Sequence, residues 1–150
     1  MTNESSRATA STMTTASNIT RQLVADDHRI NLTADLFGAY FPLRLEPFVF
    51  GIASTLSEDY SGGYWHFYSL SNGGFYMAPD SVGKFEVISE NGYTGFMSAD
   101  ALGITACLYA YSHLSFGEDD FAESCGQQYH WLREYMLDHS EAGAVLGAID

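Results

Sequence analysis

The chain has 150 residues, 46% of them hydrophobic and 17% charged, so it is long enough to bury one continuous core without metal or disulfide staples. Six Lys and Arg stand against 19 Asp and Glu for a formal net charge of -13, and the six, Arg7, Arg21, Arg29, Arg44, Lys84 and Arg133, are scattered. Nucleic-acid backbones are held by clustered cations that displace counterions, so this composition opposes direct DNA or RNA binding and favours a partner with a positive surface.

The opening MTNESSRATASTMTTAS has no periodic apolar pattern and reads as a disordered Ser/Thr-rich tail over residues 1–17, ahead of one domain over 18–150. It contains no apolar signal region. The longest apolar stretch, Ala101 to Tyr111, falls well short of the roughly 20 residues that span a bilayer, so a cytoplasmic protein with no membrane contact is expected. Ile19, Leu23 and Val24 predict a short helix, and Phe48, Ile52 and Leu56 predict a second over Pro47 to Leu56, with proline in its first turn.

The middle of the chain predicts a meander. Tyr64 to Leu70, Phe75 to Ala78, Lys84 to Ser89 and Tyr93 to Met97 are short aromatic or β-branched runs separated by turn residues. Asn72-Gly73 and Asn91-Gly92 are the strongest turn signals and match a type I′ hairpin. A side chain at Gly73 is expected to strain the backbone. In the first run, alternation places Trp65 and Phe67 on one face, taken as the core, and Tyr64, His66 and Tyr68 on the other.

Helical periodicity follows. Ser98 fits an N-cap with Asp100 in the positive first turn, and Leu102, Ala106, Tyr109 and His113 form a stripe. A further helix is predicted near Asp120, where Asp120 and Glu123 resemble a capping box, and a short terminal one from Ser140 and Glu141. Grouped strands between groups of helices predict an α+β fold: a single domain with an antiparallel meander of about four strands, flanked by N-terminal and C-terminal helices.

Chemistry-bearing motifs are sparse. Cys107 and Cys125 show no metal spacing and read as buried thiols; neither a metal nor a cofactor is expected. Of the five histidines, only His130 with Glu134 has helical i,i+4 spacing, and His28, His66 and His139 read as solvated or structural. The glycine pairs at 62–63 and 73–74 match no phosphate-binding loop, and no nucleophile motif occurs, so no catalytic residue is assigned. What remains is an acidic surface interspersed with the tyrosines Tyr64, Tyr68 and Tyr76, a composition that suits a protein-binding face.

The strings SNGGFYMAP (Ser71 to Pro79) and NGYTGFMSADA (Asn91 to Ala101), preceded by DYSGGYWHFY (Asp59 to Tyr68), resemble the antirestriction proteins of the ArdB/KlcA family. The resemblance extends over ITRQLVADD (Ile19 to Asp27) and YHWLREY (Tyr129 to Tyr135) to the terminal AID. It implies a small non-enzymatic protein of plasmids or other mobile elements that protects incoming DNA from type I restriction-modification enzymes. Two mechanisms are compatible with that resemblance. Acidic residues can imitate DNA, although 17% charged residues is sparse for copying a duplex carrying one charge per roughly 1.7 Å. The expected mechanism is the other, contact with the type I complex or an associated host factor through tyrosines and carboxylates. The alternative from another class is a hydrolase using carboxylates with His66 or His130. Glu58, Asp59, Tyr64, Tyr76, Asp100 and Asp150 are the candidate partner-binding residues.

Overall fold

The computed structural model describes residues 18–150; the Ser/Thr-rich segment 1–17 lies outside them. The order of elements is β1 (Arg21–Leu23), α1 (Arg29–Phe37), α2 (Glu46–Leu56), β2 (Trp65–Leu70), β3 (Phe75–Pro79), β4 (Lys84–Ile88), β5 (Thr94–Ser98), α3 (Ala99–Leu114), α4 (Asp120–Met136) and α5 (Ala142–Ile149). This is the expected α+β arrangement, and its four antiparallel strands form two hairpins. β2 pairs with β3 in a three-stranded sheet whose outer member is β1, while β4 and β5 form a separate two-stranded sheet.

The segment around Ile19 to Val24, predicted helical, is where the chain departs most from its local pattern. Arg21, Gln22 and Leu23 pair with Leu70, Ser69 and Tyr68, and the Val24 N–H reaches Phe67 O at 2.8 Å. The open edge of β2 supplies backbone partners that outweigh a helical spacing of three apolar residues. The second N-terminal helix is α1 instead, which starts after a 3-10 turn at Asp26–His28 and stops at Gly38, whose φ is 63°. A π-helical turn at Phe41–Leu45 joins it to α2, with the chain bent by 93° across the break.

Helix α3 is the centre of the molecule. Its residues from Ala101 to Leu108, together with Ala110 and Tyr111, are buried, so it is covered all round rather than along one stripe. Of the predicted stripe, Leu102 and Ala106 are buried but Tyr109 is half-buried and His113 exposed. Gly103 explains the close approach on one side: a Cβ there would sit 2.4 Å from the Met77 carbonyl oxygen of β3. Helix α3 also closes that strand's free edge, since the Tyr111 hydroxyl donates to Phe75 O at 2.7 Å and the Cys107 thiol to Met77 O at 3.7 Å. Trp65, Phe67, Phe75 and Met77 face inward, as alternation requires: Phe67 and Phe75 pack against Phe41, Phe75 also against Phe37, and Trp65 against Phe50 and Tyr60.

Both hairpins turn on a glycine, but not in a two-residue loop. Gly73 N–H returns to Leu70 O and Gly92 N–H to Ser89 O, each at 3.0 Å, so three residues separate the closing pairs and only the glycines have positive φ, 101° and 93°. The preceding asparagines anchor helices. Asn72 Nδ2 donates to Trp131 O of α4 at 2.9 Å, and Asn91 Nδ2 donates to Gly147 O of α5 at 3.0 Å.

One N-cap forms where expected and the other one residue earlier. Ser98 accepts from the Ala101 N–H as predicted, whereas α4 is capped by Asp119, which accepts from the Ala122 N–H, and not by Asp120. Among the described residues no single helix is long and apolar enough to cross a membrane.

Candidate protein-contact face

The face of the three-stranded sheet opposite the core carries a ladder of rings. Tyr64, His66 and Tyr68 of the β2 segment, Tyr76 of β3 and Tyr135 of α4 follow one another with centroid separations of 5.5, 6.2, 5.0 and 5.8 Å. Alternation along β2 puts His66 and Tyr68 on this side, and the register that pairs Tyr68 with Tyr76 extends the ladder across to β3. Ridged by α4 at one end, the ladder is open at the other: Tyr64 is exposed and Tyr76 has no exposed surface. Tyr76 was expected among the exposed tyrosines, and is instead covered, with Tyr135 of α4 stacked on its ring.

Asp100 stands at the covered end and gathers three donors. One Oδ1 oxygen accepts from Arg21 NH1 at 2.7 Å and from the Tyr76 hydroxyl at 2.8 Å, and Oδ2 lies 2.8 Å from His139 Nε2. Arg21 also donates to the Tyr76 oxygen at 2.7 Å and lies 4.2 Å from the centre of the Tyr68 ring. Burial alone would raise the Asp100 pKa, but the hydrogen bonds from His139 and Tyr76 and the Arg21 charge outweigh it and hold the carboxyl below its usual range. Burial and the neighbouring Asp100 charge push the Tyr76 hydroxyl far above the ordinary tyrosine range, so it remains a donor.

The pairing of Asp100 with His139 looks like an acid/base dyad, but its geometry gives it no base to use. The Glu141 backbone N–H donates to His139 Nδ1 at 2.9 Å, which leaves the ring proton on Nε2, facing Asp100. Both ring nitrogens are therefore occupied, and proton abstraction from a substrate requires a free one. The cluster works as a clamp. It joins β1, β3, the start of α3 and the turn before α5, and Glu141 strengthens it by accepting the Ser98 backbone N–H at 2.9 Å and the Ser98 hydroxyl.

At the open end Arg29 occupies the corresponding place. Its NH2 donates to the Tyr64 hydroxyl at 2.6 Å and to Trp65 O at 2.7 Å, and its guanidinium lies 4.1 Å from the Phe67 ring centre. The Tyr64 hydroxyl in turn donates to Asp26, and this hydrogen bond raises its pKa. His66 lies 3.1 Å from Asp80.

Of the six candidate residues, the structure brings Tyr76 and Asp100 into one hydrogen-bonded cluster and leaves Tyr64 on the same face, held by Arg29 and Asp26. Glu58 and Asp59 lie elsewhere, beside β4, where Asp59 Oδ2 accepts the Glu86 N–H at 2.8 Å. Asp150 is exposed at the end of α5, away from both groups. Arg21, His139, Arg29 and Tyr135 were not among the candidates. Arg21 and Tyr135 carried a signal, since both fall inside the strings ITRQLVADD and YHWLREY, while His139 carried none beyond its place near a helix end.

His130 is exposed on α4, and among the described residues no three or more His, Cys, Asp or Glu side chains gather in a way that could hold a metal ion. Cys107 and Cys125 are free and buried, as expected, and burial pushes each thiol up to about 12.

The antirestriction protein family matches residues 58–150. The antirestriction protein KlcA of Escherichia coli is 40% identical over 135 residues, covering 88% of this chain and 95% of that protein. A putative antirestriction protein of Escherichia coli K12, YubI, is 31% identical, with 85% of this chain and 93% of that protein covered. The fold is similar, with a TM-score of 0.82 and 41% identity over 89% of this chain and 96% of the other, to a structure described with the KlcA and ArdB proteins. That description gives a novel fold and antirestriction activity against type I DNA restriction systems in vivo but not in vitro.

Proposed function

This chain belongs to the KlcA/ArdB family of antirestriction proteins, a class of non-enzymatic inhibitors, and from that premise we propose that it protects incoming DNA from type I restriction-modification enzymes in the bacterial cytoplasm. It does so by contacting the type I complex or a host factor associated with it, and not by binding DNA.

The observation that carries the mechanism is the employment of its charges. Arg21 and Arg29, two of the six basic residues, are committed to Asp100, Tyr76, Tyr64 and Asp26, so the sheet face offers no cationic track for a phosphate backbone. The same commitments argue against imitation of DNA. Asp100, Asp26, Asp59 and Glu141 are each bonded to an internal donor, and a duplex mimic needs its carboxylates free and evenly spaced. An activity seen in cells but not with purified components, as described for the similar structure, agrees with dependence on something that the cell supplies.

The test is a cleavage assay with a purified type I enzyme and unmodified DNA, with and without this protein, across a range of salt. No displacement of DNA from the enzyme, at any salt concentration, is the expected result. Salt-sensitive competition with DNA would overturn the mechanism in favour of mimicry.

A further inference from the structure

Among the described residues the β4–β5 sheet has no third strand, and its β4 edge is not covered by one. Ser89 N–H bonds Tyr93 O at 3.0 Å, and because antiparallel ladders alternate, Glu86 and Ile88 turn their N–H and C=O groups away from β5. The Glu86 N–H takes the Asp59 carboxylate. The N–H and C=O of Ile88 meet no partner among the described residues. On β5 the outward N–H of Ser98 is taken by Glu141, so each edge carries one carboxylate stopper, and on β4 the backbone of Ile88 lies beyond it.

A groove follows that open edge. A hollow of about 290 Å³ between Leu56 and Ile88 is rimmed by Glu58, Asp59 and Glu86. Past Ile88 it meets a second hollow of about 160 Å³, floored by Phe48 and Ile52 and rimmed by Glu90. Ile88 borders both and is 56% exposed. No Lys or Arg lines either hollow.

We propose that this edge receives an extended segment of a partner protein, basic at alternate positions, which pairs with Ile88 as a third strand of the sheet. Backbone hydrogen bonds to Ile88 supply register, an inward side chain fills the apolar hollow over Phe48 and Ile52, and the alternate cations meet Glu58, Asp59, Glu86 and Glu90. Asp59 covers the edge in the free protein and passes to a cation of the incoming segment. A second copy of this chain is a poor occupant, because the same four carboxylates would face each other. The inference rests on the reading that the protein acts by protein contact, and it names the surface and the chemistry of that contact.

The experiment is an NMR titration and amide-exchange measurement with a short synthetic peptide alternating lysine and valine. Binding that slows exchange at the Ile88 amide tenfold or more, and that weakens with added salt, is expected. The doubly charge-reversed protein, Glu58→Lys with Glu90→Lys, should bind roughly tenfold more weakly or worse. Ile88→Pro removes only an outward N–H, which the ladder does not use, and should abolish binding while leaving the circular dichroism spectrum intact. Absence of binding, equal binding of a glutamate-valine peptide, or binding without protection of the Ile88 amide overturns the proposal. Plating of unmodified phage on restricting cells separates it from the function proposed above: a charge-reversed protein that has lost the peptide yet still protects refutes a part for this edge in protection, and leaves the peptide measurement to stand on its own.

Discussion

Replacing Asp100 by alanine withdraws the acceptor on which Arg21, Tyr76 and His139 converge. A hydrogen bond to a charged group contributes about 1.5–3 kcal/mol when sheltered. The Arg21 side chain is 40% exposed and Asp100 27%, so water replaces much of the arginine's share, and that pair counts for little. Tyr76 is fully covered and the His139 side chain is only 11% exposed, so their protons lose an acceptor with no full substitute. Because Asp100 itself keeps 27% exposure, those two bonds count at the lower end of that range, and with the lost carboxylate in the first turn of α3 they come to about 3–4 kcal/mol, a large part of a stability of about 5–15 kcal/mol.

In a chain of this length that is a fall in Tm of about 10 °C, measurable by circular dichroism and by urea titration. The pH dependence gives an independent check. The folded pKa of Asp100 lies below its unfolded value, so its contribution is present in full above about pH 4 and disappears as pH falls through the folded pKa. The gap in stability between the native protein and Asp100→Asn should therefore be widest near neutrality and close in acid. A Tm for Asp100→Ala within about 2 °C of the native value, or a gap independent of pH below 5, would refute the clamp.

Gly103→Ala should destabilise by about 1–3 kcal/mol or more despite the better helix propensity of alanine, because its Cβ would collide with the Met77 carbonyl; Gly51→Ala in α2, with no atom within 4 Å, should stabilise by up to about 1 kcal/mol. Urea midpoints of the two proteins test the contrast. Tyr111 is buried against Phe75 O and its pKa is raised well above 10, so folding binds a proton that the unfolded chain gives up, and stability should fall as pH rises beyond about 10. Tyr111→Phe should cost about 1–2 kcal/mol at pH 7 and reduce that alkaline loss, as followed by melts between pH 7 and 11. Asn72→Ala removes the bond from the β2–β3 turn to Trp131 O and the one to the Gly74 N–H, and should cost about 1–2 kcal/mol, with faster amide exchange confined first to that hairpin and the middle of α4.

The strands and the long C-terminal helices were legible because their signals are local. Alternation placed Trp65 and Phe67 inward, and the Ser98 cap needs only its own neighbours. The strand at Arg21–Leu23 was not legible, because nothing in those three exposed residues encodes the β2 edge that holds them, some 45 residues on. Helix α1 was hidden by the charged run before it. The division of four strands into two sheets was equally out of reach, since both hairpins look alike in sequence and only the packing of α3 against β3 closes one sheet off.

The candidate face shows the same split. Asp100 and Tyr76 stood out by residue type and by the motifs around them, but their meeting with Arg21 and His139 depends on contacts 39 to 79 residues apart. Tyrosine in alternation tells which side of a strand a ring takes, and not what lies above it; Tyr76 is covered because Tyr135 of α4 stacks on it. The asparagines of the two turns had a second role that turn chemistry does not announce, as anchors for α4 and α5.

Protection from restriction is read from the plating efficiency of unmodified phage on cells with an active type I restriction system, with and without this protein expressed. Recovery of plating while DNA modification continues is the predicted result. Unchanged restriction in cells that contain the protein soluble and folded would contradict it.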